Sequence, residues 1–315
     1  MRAIGVRHYG GPEELMAVDL PEPHAGPGQV RIRVHAAAVN PVDAIIRSGS
    51  FQGNDGEITS AVVPGTDVSG VIDEVGSDLP ESMTLLVGDE VVGFVAPSGS
   101  HGGYSEFVVL PAESLVALPT RGDHVSGAAF LSNALTAEMA LEGLHLEPGS
   151  VLAVTGATGA VGGYLVELAS ARGVTVIADA RPEEHAIVRA FGAHHVVDRD
   201  ANFGAEVRKL TDGKGADALA DPAARGAAAF EAVADGGQLA LFLPADLEPR
   251  RGVRVFQSYV MRSNRRHDAI EALAGRVGRG ELTVRVADTL PADQASTAHR
   301  RMEAGGLRGR LILTF

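Results

Sequence analysis

Gly156, Gly159 and Gly162 punctuate an otherwise apolar stretch, VLAVTGATGAVGGYLVELA (151–169). A β-type run, Val151 to Val154, enters the glycine-spaced turn, and a helix-periodic segment carrying Val161, Leu165, Leu168 and Ala169 leaves it. A strand that turns this tightly into a helix leaves backbone N–H groups at the helix's positive end, which is where a pyrophosphate binds. Gly159 lets phosphates approach the backbone, and Gly162 lets the helix pack closely on the strand. A second strand at Val174 to Ala178 completes βαβ spacing, so the stretch reads as a dinucleotide turn. Glu167 and the glycines interrupt the apolar run, which argues against a membrane span.

The composition limits the chemistry. The chain has 315 residues, 45% hydrophobic and 21% charged, enough for about two domains with substantial cores. A formal charge of −13 disfavours nucleic acid or an anionic membrane as a general partner. The local basic groups Arg250, Arg251, Arg254 and Arg262, Arg265, Arg266 read as solvated faces. There is no cysteine, which removes disulfides, thiolate metal sites and cysteine nucleophiles. The N-terminus carries no basic-then-apolar export signal, so a cytoplasmic location is expected.

Positioning these residues requires two kinds of texture. Residues 1 to about 118 are β-rich, with short β-branched runs between Gly, Pro and Asp turns. From about 119 to 285, strands and helices alternate. Strands are expected near 151–155, 174–178, 194–197, 217–220 and 238–242, and helices near 123–142, 160–172, 182–191, 203–211 and 225–234. That alternation predicts an α/β fold with a doubly wound parallel sheet, the Rossmann arrangement. Helices near 264–279 and 291–304 precede a β-rich tail, LTVRVADTL and RGRLILTF, expected to fold back onto the first domain over 286–315. GSFQGNDGE (49–57) is the expected mobile loop.

AAAVNPVDAIIRSG (36–49), VPGTDVSGVIDEVG (63–76), VGDEVVGF (87–94), GGYSEF (102–107), LTAEMAL (135–141) and the glycine turn follow one another in a familiar order and spacing. Together they resemble the medium-chain dehydrogenase/reductase superfamily, and within it the zinc-independent quinone oxidoreductase/enoyl reductase branch. The resemblance covers essentially the whole chain. It implies a GroES-like, partly open β-barrel for the first domain, a cofactor between the domains and a homodimer. Zinc-dependent relatives place a cysteine where this chain has Asn40 and a histidine where it has Thr66. The histidines are scattered, and the His194–His195 pair at a strand start points to opposite faces. Catalytic zinc requires a cluster of such ligands, so no metal is expected.

Without zinc, hydride must go to an acceptor that is already electrophilic, a quinone or an alkene conjugated to a carbonyl. Asn40 and Thr66 are the candidate catalytic residues. The Asn40 amide can donate to a carbonyl or anchor the nicotinamide ribose; the other reading of Asn40-Pro41 is a strand terminator. Asp43 and Arg47, at i and i+4, suggest a structural ion pair. Some relatives carry tyrosines where this chain has Ile45 and Phe51, so the acceptor pocket is expected to be apolar and to leave proton delivery to water. The resemblance assigns cofactor contacts to Asn40, Thr136, Gly156, Thr158, Gly159, Ala160, Val161, Gly162, Arg181, Arg199, Leu241 and Phe242. The position that holds the ribose carboxylate of NAD enzymes falls on Ala180, and Arg181 stands where relatives hold a 2′-phosphate, so NADPH is the expected cofactor, with Asp179 and Glu184 the counter-indications. The expected function is an NADPH-dependent quinone or enone reductase. Its alternatives are an enoyl-thioester reductase of a polyketide or lipid pathway and an NADPH-binding sensor with little turnover.

Overall fold

The computed structural model describes residues 1–50, 58, 60–80, 83–120 and 122–315, without the side chain of Arg262. Phe51 and most of the expected mobile loop lie outside the described residues. The chain forms two compact units: residues 1–132, 261–280 and 284–315, and residues 133–260 with 281–283.

The first unit is built on antiparallel strand pairs, except for the parallel pair formed by the two C-terminal strands. A short hairpin joins β1 (Arg2–Gly5) and β2 (Met16–Asp19). The long β3 (Gln29–Val39) is followed by α1 (Pro41–Ser48), β4 (Asp67–Val75), β5 (Glu90–Phe94), β6 (Phe107–Pro111), β7 (Leu115–Ala117) and α2 (His124–Gly127). Later in the chain come α7 (His267–Arg279), β14 (Val286–Pro291), α8 (Ala295–Glu303) and β15 (Arg310–Thr314). The sheet order is β14-β15-β3-β4-β5-β7, with β6 also paired to β3. The C-terminal strand joins this sheet: β15 runs antiparallel to β3, Leu311 opposite Val39. Val30, Ile32, Val68, Ile72, Leu110, Leu311 and Leu313 fill the core between the strands. The segments 119–132 and 261–280, expected in the second domain, belong to this unit. α7 is amphipathic, buries Ile270, Leu273 and Ala274, and lies against β7.

The second unit carries α3 (Leu131–Leu144, entered from the first unit), β8 (Val151–Val154), α4 (Ala160–Ala171), β9 (Thr175–Ala180), α5 (His185–Ala190), β10 (His195–Asp198), α6 (Phe203–Leu210), β11 (Ala216–Asp221), β12 (Val233–Leu241) and β13 (Arg254–Gln257). All of its strand pairs are parallel, in the order β10-β9-β8-β11-β12-β13. That is the Rossmann order, and it reverses at β8, whose carboxyl end opens the crevice where such sheets bind ligands. Two helical expectations need correction. The helix expected over 123–142 is two, separated at 128–130. The second starts where the Asp67 carboxylate, from β4, accepts the Ser132 backbone N–H at 2.7 Å and so caps the new helix. Residues 226–232 are a 3-10 helix, entered through Gly226 at φ +60.

Candidate functional site

In the second unit, β8 runs into the turn Thr155–Gly159 and out through α4. Gly156 has φ +63, a left-handed conformation that suits glycine. Gly159 is the N-cap of α4, so the N–H groups of Ala160, Val161 and Gly162 sit in the first helical turn, where no intrahelical acceptor exists. A Cβ on Gly162 would lie 2.2 Å from the Gly156 carbonyl oxygen, so only glycine lets helix and turn close this tightly. A Cβ on Gly159 would meet only that same oxygen, at 3.1 Å; the rest of its surroundings is open space, as a phosphate cradle requires.

Two buried carboxylates brace this turn. Asp179, on β9 and fully buried, accepts the N–H of Gly156 at 2.6 Å and of Ala157 at 3.3 Å. Arg225 reaches across from the far side of the turn to the other Asp179 oxygen at 2.6 Å, its guanidinium over the Phe203 ring. Asp221, at the end of β11, accepts the Thr155 hydroxyl at 2.6 Å and the Gly226 amide at 3.2 Å. Arg199 donates to Thr158 Oγ1 at 3.0 Å and lies 4.0 Å from Asp179. Gly156, Thr158, Gly159, Ala160, Val161, Gly162 and Arg199 are thus brought to one turn. Arg181 is exposed just past the end of β9, and its N–H donates to Glu184, whose side chain is buried there. Leu241 ends β12 buried, Phe242 follows half-buried, and the Thr136 carbonyl accepts from Ser258. Sequence reasoning missed Arg225, 46 residues from its partner, and gave Asp179 no part in the turn.

In the first unit, Asn40 lies between two buried carboxylates. It follows β3 and caps α1, with Pro41 at the first helical position. Its backbone N–H donates to Asp43 Oδ2 at 2.8 Å, and its side-chain Nδ2 donates to Asp67 Oδ2 at 2.8 Å and to Thr66 Oγ1 at 3.0 Å. The opposite amide orientation would set its oxygen against the Asp67 carboxylate, so the nitrogen faces Asp67. Both amide hydrogens are therefore committed to protein acceptors. Thr66 accepts from Asn40 and keeps its own hydroxyl proton to donate. Burial raises the Asp67 carboxyl above the usual range, against the opposing pull of the Ser132 hydroxyl, 2.5 Å away, the Ser132 amide and Asn40.

The expected Asp43–Arg47 ion pair does not form. Asp43 faces inward and accepts from Asn40, from the Gly65 amide at 3.0 Å and from the Tyr104 hydroxyl at 3.3 Å. Arg47 turns to the Gly10 carbonyl at 3.0 Å, His299 Nδ1 at 3.1 Å and Glu303 at 2.7 Å. Ile45 is half-buried on α1. Among the described residues no cluster of three His, Cys, Asp or Glu could hold a metal ion, and no helix is long and apolar enough to cross a membrane.

Residues 26–120 match the family model of the alcohol dehydrogenase GroES-like domain, and residues 191–313 that of the zinc-binding dehydrogenase. Quinone oxidoreductase of Mus musculus is 30% identical over 336 residues, covering 99% of this chain and 97% of its own. That of Pongo abelii is 35% identical over 227 residues, 70% of this chain and 65% of the relative's length. A mycobacterial structure complexed with NADPH superposes with a TM-score of 0.84 at 28% identity, covering 100% of both chains. The chain belongs to the medium-chain dehydrogenase/reductase superfamily, in its zinc-independent quinone oxidoreductase branch, a family of oxidoreductases. Asn40 and Thr66, an amide and a hydroxyl, are hydrogen-bonded to each other, and neither is a customary zinc ligand.

Proposed function

We propose that this protein is an NADPH-dependent reductase that delivers hydride to a quinone or to an alkene conjugated to a carbonyl, without zinc. The observation that carries the reading is the neutral Asn40–Thr66 pair: it offers a hydrogen-bond donor where zinc-dependent relatives offer a Lewis acid. The turn Gly156–Gly162 cradles a pyrophosphate with helix N-terminal amides, and Arg199 lies at Thr158 to meet further negative charge. When bound, a reduced nicotinamide supplies the hydride. Thr66 then donates its hydroxyl to the acceptor oxygen as charge develops there, and Asn40, locked to Asp67, fixes the angle of that hydroxyl. Ile45, half-buried on α1, supplies an apolar wall to the acceptor pocket, and water delivers the closing proton. A homodimer accompanies this reading on the family resemblance.

Steady-state oxidation of NADPH with a panel of quinones and α,β-unsaturated ketones, run with a strong chelator present, tests the proposal. Turnover that ignores the chelator is expected. Tight NADPH binding with no turnover on any acceptor would make the protein a sensor instead, and loss of activity on chelation would restore a metal to the mechanism.

Cofactor choice gives a second test. Arg181 is exposed just past the end of β9, where the family resemblance sets the 2′-phosphate. Arg181→Ala is expected to weaken NADPH binding by roughly 1.5–3 kcal/mol, the scale of a charge-assisted hydrogen bond, and to leave NADH nearly unchanged. Titration of nicotinamide fluorescence with both cofactors reads the difference; equal losses would remove Arg181 from phosphate recognition.

A further inference from the structure

Behind Asn40 runs a buried chain of hydrogen bonds that the proposed mechanism does not use. Its direction follows from donor chemistry. A guanidinium only donates, so His299 Nδ1, 3.1 Å from Arg47 Nη1, accepts and carries no proton. Burial and the neighbouring Arg47 charge push the His299 imidazole down to about 3, so the ring is neutral and its proton sits on Nε2. Nε2 lies 3.1 Å from Tyr104 Oη and donates to it. The Tyr104 proton is then turned toward Asp43 Oδ2. Every step from Arg47 to Asp43 runs one way.

The chain ends on a carboxylate that ties together both segments bearing the Asn40–Thr66 pair. Asp43 Oδ2 holds the Asn40 amide, and Oδ1 holds the amide of Gly65, the residue before Thr66. Gly65 cannot yield its place cheaply: it sits at φ +108, and a Cβ there would meet the Tyr104 backbone nitrogen at 2.6 Å. The ionised carboxylate accepts all three donors. A proton on Oδ2 would give Tyr104 Oη two donors and leave its own proton without an acceptor. A proton on Oδ1 would oppose the Gly65 N–H instead.

We propose that Asp43 is a positioning residue for the Asn40–Thr66 pair, and that the Arg47–His299–Tyr104 relay keeps it in the ionised form that holds the pair in register. The inference rests on the reading of Asn40 and Thr66 as the acceptor-binding pair. The relay opposes the tendency of burial, which raises the Asp43 carboxyl to about 7 despite the amides of Asn40 and Gly65. The titratable groups facing Asp43 are Asp67 from β4 and Tyr104 ahead of β6; behind Tyr104 stand His299 from α8 and then Arg47, on the helix of Asp43, with Glu303 beyond it. Asp67 raises Asp43, and Tyr104 lowers it.

The test is the pH profile of kcat for NADPH oxidation in the wild type, Tyr104→Phe and Asp43→Asn, with thermal unfolding as a fold control. The wild type is expected to lose kcat on the acid side of about pH 7, where the carboxyl takes up its proton. Tyr104→Phe removes one donor from the carboxylate and should move that limb upward by roughly one to two pH units, with the KM for NADPH unchanged. Asp43→Asn should abolish the limb and leave a low, level kcat. A limb at the same pH in the wild type and Tyr104→Phe, or no limb in the wild type, overturns the inference. A wild type without turnover overturns the functional reading itself. Should Asp43→Asn fail to fold, the Tyr104→Phe shift decides alone.

Discussion

Asp179→Ala is expected to cost about 3–5 kcal/mol of folding free energy, the range for leaving one member of a buried ion pair without its partner. The wild-type carboxylate is fully buried and is satisfied by the Gly156 and Ala157 amides and by Arg225. Alanine would orphan both amides inside the protein and leave the Arg225 guanidinium facing a cavity. Arg225 keeps 26% of its side chain exposed, so water recovers part of its loss and the lower end of the range is expected. The same change should release the left-handed turn at Gly156, so cofactor affinity should fall with stability. Urea midpoints and NADPH titration measure both. A destabilisation under about 1 kcal/mol would mean that the amides and arginine find water instead, and that Asp179 does not brace the turn.

How much of this was legible in the sequence depends on the distance between partners. The turn from β8 into α4 was readable because Gly156, Gly159 and Gly162 act on their own neighbours: the clash that requires Gly162 is with a carbonyl six residues earlier. The parallel sheet was readable for the same reason, since each strand and helix declares its own period. The split of the expected 123–142 helix was not, because its cause is Asp67, 65 residues away in sequence. Likewise the i, i+4 spacing of Asp43 and Arg47 suggested a pair. The native partners of Arg47 are His299 and Glu303, separated from it by 252 and 256 residues. Asp179 lay in plain view beside the aligned ribose position, and alternation correctly turned it away from Ala180. Nothing local said that it would turn under the glycine turn and meet Arg225 there. The site's frame is local and its electrostatics are not.

The electrostatics of Asp43 and His299 make opposite demands on stability, and the signs can be separated. His299 titrates at about 3 in the folded protein and near its ordinary 6.5 when unfolded. Its contribution is complete above pH 6.5 and is lost as pH falls toward 3, because the unfolded chain takes up the proton first; the full span is roughly 5 kcal/mol. Asp43 titrates at about 7 when folded against an ordinary 3.8, so here the folded chain takes up the proton first. Stability from this group is highest below pH 3.8 and is lost as pH rises to 7, over a span of roughly 4 kcal/mol. Between about pH 4 and 6.5 the two nearly cancel. Asp67, also raised by burial, adds to the wild type and to His299→Gln alike, while Asp43→Asn also relieves it of the neighbouring Asp43 charge. His299→Gln, whose amide can still accept from Arg47 and donate to Tyr104, should therefore gain on the wild type as pH is lowered through this window. Asp43→Asn should gain on the wild type as pH is raised through it. Urea unfolding at half-unit pH steps would read the two differences. Parallel curves for the three proteins would mean that neither group is held in its disfavoured protonation state by the fold.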